Sequence, residues 1–88
     1  MTFTVIWKPT AEQSLTETWL KAADRQSIAN AADAIDALLR SDPLSVGEAR
    51  ESNSRLLYVA PLAVFYDVFP DDMLVAVWAL WQHPRPGG

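Results

Sequence analysis

Residues 54–81 read SRLLYVAPLAVFYDVFPDDMLVAVWALW, and this stretch decides the fold. Apolar, β-branched and aromatic residues fill three runs, which are separated by turn signals at Pro61 and at residues 70–72. Runs of this composition bounded by turn residues predict β-strands, and tight connections between them predict antiparallel neighbours. The predicted strands cover 55–60, 63–69 and 73–81.

A further strand is predicted at the start of the chain. Residues 2–8 alternate in character, with Phe3, Val5 and Trp7 on one side. Alternation of this kind is typical of a half-buried strand. Pro9 is expected to end it, because proline interrupts regular strand pairing.

Two helices are predicted to follow this strand. The sequence from Thr10 to Gln13 matches a capping box, in which the Thr10 hydroxyl caps the first helix. Asp24 is expected to cap a second helix over 25–40. The short break between the two predicts an antiparallel helix hairpin. Apolar positions in the second helix recur at intervals of three and four residues, at Ile28, Ala31, Ile35, Leu38 and Leu39.

The resulting fold class is α+β, with the order β-α-α-β-β-β. The helix hairpin is expected to pack on one face of a small, largely antiparallel, four-stranded sheet. Pro43 is predicted to stop the second helix, and residues 44–54 are predicted to form a loop. Residues 1–82 are expected to form a single domain, and residues 83–88 a flexible C-terminal tail.

Composition narrows the function classes. The chain has 88 residues, no Cys and one His, so neither a metal site nor a cofactor is expected. The formal net charge of −4 disfavours non-specific binding to nucleic acid. We find no secretory signal and no apolar stretch long enough to span a membrane, so we expect no membrane partner and a cytoplasmic location.

Short motifs occur in a defined order along the chain. They are KPTA at 8–11, LLRSDP at 38–43, Gly47 and Arg50 in the next loop, RLLY at 55–58, VFYDV at 64–68 and an apolar closing strand over 74–81. In this order the chain resembles the RelE/ParE superfamily, the toxins of type II toxin–antitoxin systems. The resemblance covers nearly the whole chain and supports the α+β fold derived above.

The resemblance implies a growth-inhibiting toxin that a cognate antitoxin neutralises by binding. It implies one of two targets: mRNA on the ribosome, cut by a RelE-like endoribonuclease, or DNA gyrase, inhibited by a ParE-like toxin. Operator DNA would be contacted only through the antitoxin. If the chain is an enzyme, it is expected to be a ribosome-dependent mRNA endoribonuclease. The alternative is a protein-interaction module of the same fold without toxic activity.

The sequence departs from the ribonuclease members of this superfamily. Those members place basic residues across the concave face of the sheet, often with a C-terminal His, Tyr or Arg. Here Ala63 stands where many members carry Arg, and residues 77–81 contain neither Lys nor Arg. Polar candidates at the C-terminus are limited to Gln82, His83 and Arg85. These departures weaken the ribonuclease hypothesis.

Four residues are candidates for catalysis. Arg55 and Arg50 could hold a phosphate, because guanidinium groups bind phosphate oxygens bidentately and stabilise transition-state charge. His83 could transfer a proton near neutral pH, and Arg85 could stabilise charge. The alternatives are arginines that are solvated or paired with a nearby glutamate, and a His83 exposed in a tail.

In the closing strand, both the odd-numbered and the even-numbered positions are apolar. Strict alternation would place Leu74, Ala76, Trp78 and Leu80 on one face and Met73, Val75, Val77, Ala79 and Trp81 on the other. A sheet covered by helices on one side should instead alternate apolar with polar residues. The second face is therefore expected to be covered, either by a loop of this chain or by a partner. Candidate partner-binding residues are aromatic: Trp19, Tyr58, Tyr66, Trp78 and Trp81. For both tyrosines, which alternate with apolar neighbours, packing in the core or on a sheet face is the default expectation.

Overall fold

The computed structural model of the chain describes residues 2–83, which form two helices packed on one five-stranded sheet. The strands follow the order β1-β5-β4-β3-β2. β1 runs parallel to β5, and the other neighbours are antiparallel. The elements are β1 (Thr4–Trp7), α1 (Pro9–Lys21), α2 (Arg25–Ser41), β2 (Glu48–Ala49), β3 (Ser54–Val59), β4 (Leu62–Phe69) and β5 (Leu74–Gln82).

The α+β prediction is confirmed, with one more strand than expected. Within the predicted loop 44–54, Glu48 and Ala49 pair with β3 as a two-residue strand. Gly47 precedes them with φ at 73°, and a Cβ at this position would lie 2.6 Å from the Leu56 carbonyl oxygen. Glycine permits this close return of the backbone. Two residues are too few to show a period, so periodicity did not reveal β2.

The two predicted helix caps have different outcomes. Asp24 caps α2 as predicted, since its carboxylate accepts bonds from the Ser27 backbone N–H at 3.2 Å and from the Ser27 hydroxyl at 2.7 Å. These bonds lower the pKa of Asp24. The capping box at Thr10 is wrong: α1 begins at Pro9, and its N-cap residue makes no side-chain bond. Proline favours the first helical position, and the Thr10 hydroxyl instead donates to the carbonyl of Trp78 at 3.2 Å.

Both helices cover one face of the sheet, which we call the inner face. α1 packs against β5, whereas α2 packs against β1, β3 and β4. None of the helices within residues 2–83 combines the length and hydrophobicity needed to cross a bilayer. The core between helices and sheet consists of Ala11, Ile28, Ala31, Ile35, Leu39, Leu57, Leu62, Val64, Tyr66, Val68, Val75, Val77 and Leu80.

A register shift between β4 and β5 changes which side chains share a face. Tyr66 pairs with Val77, but Phe65 pairs with Ala79, so Trp78 has no partner on β4, as in a β-bulge. Beyond Trp78, the extra residue of β5, each side chain lies on the face opposite to the one that strict alternation would give it. Leu80 therefore joins the core on the inner face, and the prediction that placed it beside Trp78 is wrong.

Candidate functional site

The opposite sheet face, which we call the outer face, carries an aromatic cluster of Tyr58, Phe65, Trp78 and Trp81. Phe65 and Trp78 stack almost in parallel, with centroids 5.0 Å apart and planes 7° apart. Trp81 meets the same phenyl ring at 5.1 Å and 47°. The bulge brings both indoles to one side, because strict alternation would have separated residues 78 and 81. Two indoles thus contact Phe65.

Asp67 fixes one of these indoles in place. The Trp78 Nε1–H donates to Asp67 Oδ1 at 3.1 Å, and the Ser54 hydroxyl donates to the same oxygen at 2.6 Å. A hydrogen bond at one end of the indole and a stacked ring on its face restrict both of its side-chain torsions. The outer face therefore presents an ordered aromatic surface, although 37% of Trp78 remains exposed.

Tyr58 and His83 form a second contact on this face. Their rings lie 4.7 Å apart at 51°, and the Tyr58 side chain is half exposed. The backbone N–H of His83 donates to the Pro61 carbonyl at 2.7 Å, which places this residue beside the β3–β4 turn. His83 was predicted to begin a flexible tail, but it is bonded to the domain. Arg85 and the rest of the tail lie outside the described residues.

Arg55 lies on the other side of the sheet. Its side chain donates to the carbonyls of Gly47 at 3.2 Å and Val46 at 3.4 Å, and it lies next to the Tyr66 phenol. It therefore holds the segment before β2 against the inner side of the sheet. Glu48 and Glu51 were the expected ion-pair partners of Arg55, but Glu48 pairs with Arg50 at 3.0 Å. The ion-pair alternative therefore holds for Arg50.

The predicted catalytic residues do not converge. The guanidinium of Arg55 lies on the inner side, whereas the imidazole of His83 lies on the outer face with Tyr58. Arg50 is exposed and ion-paired. A phosphate held by Arg55 would thus be separated from His83 by the sheet. The described residues provide no assembled site for phosphodiester cleavage.

Tyr66 is a core residue, so its assignment as a partner-binding residue is wrong. It is fully buried, and its hydroxyl oxygen lies 2.8 Å from the carbonyl oxygens of both Pro43 and Val46. Burial raises the pKa of the Tyr66 phenol, and a hydrogen bond and charge from Arg55 partly offset that rise. Its role is to tie the segment after α2 to β4.

Trp19 lies on the helix side, away from the aromatic cluster. It is in the last turn of α1, where the residue is 39% exposed. The Arg25 guanidinium carbon lies 4.4 Å from the ring centroid, and the same side chain donates to the carbonyls of Trp19 and Leu20. The guanidinium thus satisfies the C-terminal carbonyls of α1 while covering one side of the indole.

The outer face contains little charge. Asp67 is its central acidic group, and strand alternation places Lys8 at its β1 rim. Pairing of Glu48 with Leu56 places the ion pair of Glu48 with Arg50 at its β2 rim. Within residues 2–83, no arginine lies at the centre of this face, and Arg50 at its β2 rim is paired with Glu48. No three His, Asp or Glu side chains of this part of the chain converge closely enough to hold a metal ion. The arrangement is suited to apolar contacts and provides little to balance a phosphate.

Sequence reasoning missed Phe65 and Asp67, which organise this face. The signal was present in VFYDV at 64–68, because alternation puts both residues on the side opposite to Tyr66.

Comparison with known proteins identifies the fold. No family model and no curated protein sequence matches the chain. Among solved structures, a chain of the toxin–antitoxin complex RelBE2 from Mycobacterium tuberculosis matches with a TM-score of 0.77 and 17% identity, over 94% of this chain and 93% of that one. The isolated E. coli RelE toxin matches with a TM-score of 0.64 and 15% identity, over 97% and 88%. A chain of the chromosomal ParDE system from P. aeruginosa matches with a TM-score of 0.69 and 12% identity, over 93% and 97%. The chain therefore has the fold of the RelE/ParE toxins.

Proposed function

We propose that this protein is the toxin of a type II toxin–antitoxin pair, which inhibits growth in the cytoplasm and is neutralised by a cognate antitoxin. The observation that carries the proposal is the match to toxin–antitoxin structures over nearly the full length of both chains. Operator DNA would be contacted through the antitoxin.

The outer face favours a protein target over an RNA target. Cleavage of RNA requires charge that stabilises the phosphorane and a group that transfers a proton. Within residues 2–83 the aromatic cluster occupies this face, and Arg55 is used for internal hydrogen bonds. Exposed aromatic residues with few charges are typical of protein interfaces. We therefore favour a ParE-like inhibitor of DNA gyrase over a RelE-like endoribonuclease.

The same surface supports a second candidate, an interaction module without toxic activity. An ordered apolar face can bind a protein partner without any toxic activity. The antitoxin would cover this face whether the chain is a toxin or an interaction module. The two candidates differ in what the chain does when it is produced alone.

Inducible expression of the chain alone in bacteria tests the proposal. We expect growth to stop, transcripts to remain intact, and replication to be blocked with an induced DNA-damage response. Transcript integrity and the damage response are measured in the same culture. Unimpaired growth with soluble, folded protein would reject the toxin and leave the interaction module.

A pair of arginine variants separates the two toxic activities. Arg50→Ala removes an exposed, ion-paired arginine that was a candidate for holding phosphate. Arg40→Ala removes a comparable exposed, ion-paired arginine from α2 and is the matched control. For a gyrase inhibitor we expect growth arrest with both variants. Cleaved transcripts that disappear only with Arg50→Ala would identify a ribonuclease instead.

A further inference from the structure

The aromatic cluster of the outer face adjoins a carboxylate whose two oxygens differ in their bonding. Asp67 Oδ1 accepts from the Trp78 indole N–H at 3.1 Å and from the Ser54 hydroxyl at 2.6 Å. Within residues 2–83, Oδ2 accepts no hydrogen bond and takes part in no ion pair. Every buried side-chain oxygen of these residues has a partner, so Oδ2 is open to solvent. One oxygen therefore fixes the local structure, and the other is available to a ligand.

The strands on both sides of Asp67 leave this oxygen uncovered. Asp67 pairs with Ser54 on β3 and with Ala76 on β5. Both neighbours have small side chains, so neither extends over the carboxylate. Trp78 is stacked on Phe65 on one side of its ring, and part of the residue remains exposed. The exposed part of the indole and the open oxygen therefore lie side by side, because the indole N–H is bonded to the other oxygen of the same carboxylate.

The cations nearest to Asp67 on this face lie at its two rims. Arg50 on one side and Lys8 on the other are each two strands away from β4, which corresponds to about 10 Å across the sheet. Arg50 is bonded to Glu48 at 3.0 Å, and Lys8 makes no ion pair within residues 2–83. In the described part of the chain, the carboxylate therefore has no cation beside it.

The position of Asp67 restricts the kind of partner that the outer face can bind. A partner that covers the aromatic cluster would also remove water from this carboxylate. Loss of water without a new donor is unfavourable for a carboxylate, whereas a cation placed against it can add affinity and specificity. A purely apolar partner would thus gain contacts with Phe65, Trp78 and Trp81 and lose the hydration of Asp67. The partner that suits both properties carries a cation where it meets Oδ2.

The indole beside this oxygen favours arginine over lysine. A guanidinium is planar, stacks on aromatic rings and is less strongly hydrated than an ammonium. It can therefore lie against the exposed side of Trp78 and donate to Asp67 at the same time. The chain already contains a pairing of this kind, since the Arg25 guanidinium carbon lies 4.4 Å from the centroid of the Trp19 ring while the side chain donates to two carbonyls.

We infer that the outer face binds a protein partner through an arginine side chain, which lies against Trp78 and donates to Asp67 Oδ2. Apolar residues of the same segment contact Phe65 and Trp81. The chemistry of the ligand rests on this face alone. The assignment of the segment to the target of the toxin rests on the proposed function.

Peptides that differ in one side chain test the inference with the full chain. Each is a short capped peptide with leucines on either side of a central residue, which is arginine, lysine or citrulline, the neutral isostere of arginine. Binding is followed by NMR at the Trp78 indole N–H, whose resonance a Trp78→Phe variant identifies. We expect the arginine peptide to bind about tenfold more tightly than the citrulline peptide, with the lysine peptide between them. Equal binding of the arginine and citrulline peptides, or no binding at millimolar concentration, would overturn the inference.

A matched pair of variants locates the charge that arginine recognises. Asp67→Asn keeps an oxygen that accepts from Trp78 and Ser54 but removes the negative charge, so the preference for arginine over citrulline should disappear. Asp33→Asn removes one charge from the exposed side of α2 and should leave the preference unchanged. Equal losses from both variants would reduce the effect to overall charge and reject the site. The comparison of peptides on the unchanged protein needs no variant to fold.

A short single-stranded RNA tests the other class of ligand at the same resonance. We expect it to shift the Trp78 indole N–H only at higher concentration than the arginine peptide does. Tighter binding of the RNA would make the ligand a nucleic acid and overturn the inference. These measurements need no toxicity, so absence of growth arrest would reject the proposed function without affecting them. A chain that arrests growth but shows no preference for arginine would reject this inference alone.

Discussion

The two faces of the sheet use aromatic residues in opposite ways. On the inner face Tyr66 is enclosed by helix side chains, and its hydroxyl bonds two backbone carbonyls. On the outer face Phe65 contacts both Trp78 and Trp81, and these rings partly shield the sheet without any helix above them. The inner face therefore stabilises the fold, whereas the outer face is ordered but still available to a partner. This contrast predicts unequal effects from similar substitutions on the two faces.

The largest difference is expected between adjacent leucines of β3. Leu57 belongs to the inner core, while Leu56 is buried on the outer face opposite Phe65. Leu57→Ala should lower the free energy of unfolding by about 4 kcal/mol, and Leu56→Ala by about 2 kcal/mol, because outer aromatic rings can relax into the vacated space. Urea unfolding of both variants measures this. Equal losses would show that the outer face is packed as rigidly as the core.

A smaller difference is expected between the two tyrosines. Tyr66→Phe leaves the buried carbonyls of Pro43 and Val46 without their hydroxyl donor, so the free energy of unfolding should fall by about 2 kcal/mol. Tyr58→Phe removes a hydroxyl from a half-exposed ring and should change it by less than about 0.5 kcal/mol. Urea unfolding again provides the measurement, and a larger loss for the outer tyrosine would contradict the contrast.

The smallest expected effect is a loss of folding stability at alkaline pH. Burial raises the pKa of Tyr66 above its ordinary value of 10.0. The unfolded chain therefore releases this proton at lower pH than the folded chain, so stability must fall as pH rises. The contribution is fully present below about pH 10 and is lost as pH passes through the raised pKa.

Comparison of the wild type with Tyr66→Phe isolates this contribution. Other titrating groups are common to both proteins and cancel in the difference between their free energies of unfolding. We expect the difference to be constant between about pH 7 and pH 9 and to shrink above about pH 10. A difference that stays constant throughout would show that this phenol does not titrate with unfolding.

Much of the fold could be predicted, because its signals are local. The three runs after residue 54, their two proline-marked turns and the Asp24 cap each depend on residues close together in sequence. β2 could not be predicted in this way. It forms because Gly47 returns the backbone against β3, which is a tertiary contact without a repeating pattern.

The candidate site was predicted less well, because side-chain direction depends on register. Arginine is a residue type that binds phosphate, but the Arg55 side chain donates to the carbonyls of Val46 and Gly47. Tyrosine is a residue type that is common at interfaces, but Tyr66 is buried in the core. Trp78 and Trp81 were recognised as surface candidates, and their place on one face depends on the bulge.

The sequence by itself determined that an apolar, aromatic closing strand would need more cover than two helices provide. Composition and periodicity are sufficient for that conclusion, because they fix how much apolar surface the chain carries and at what spacing. Only the tertiary structure decided which face each ring occupies. One extra residue at Trp78 inverts the alternation of β5, and an inversion of this kind arises from pairing with β4 rather than from the residues of β5 alone.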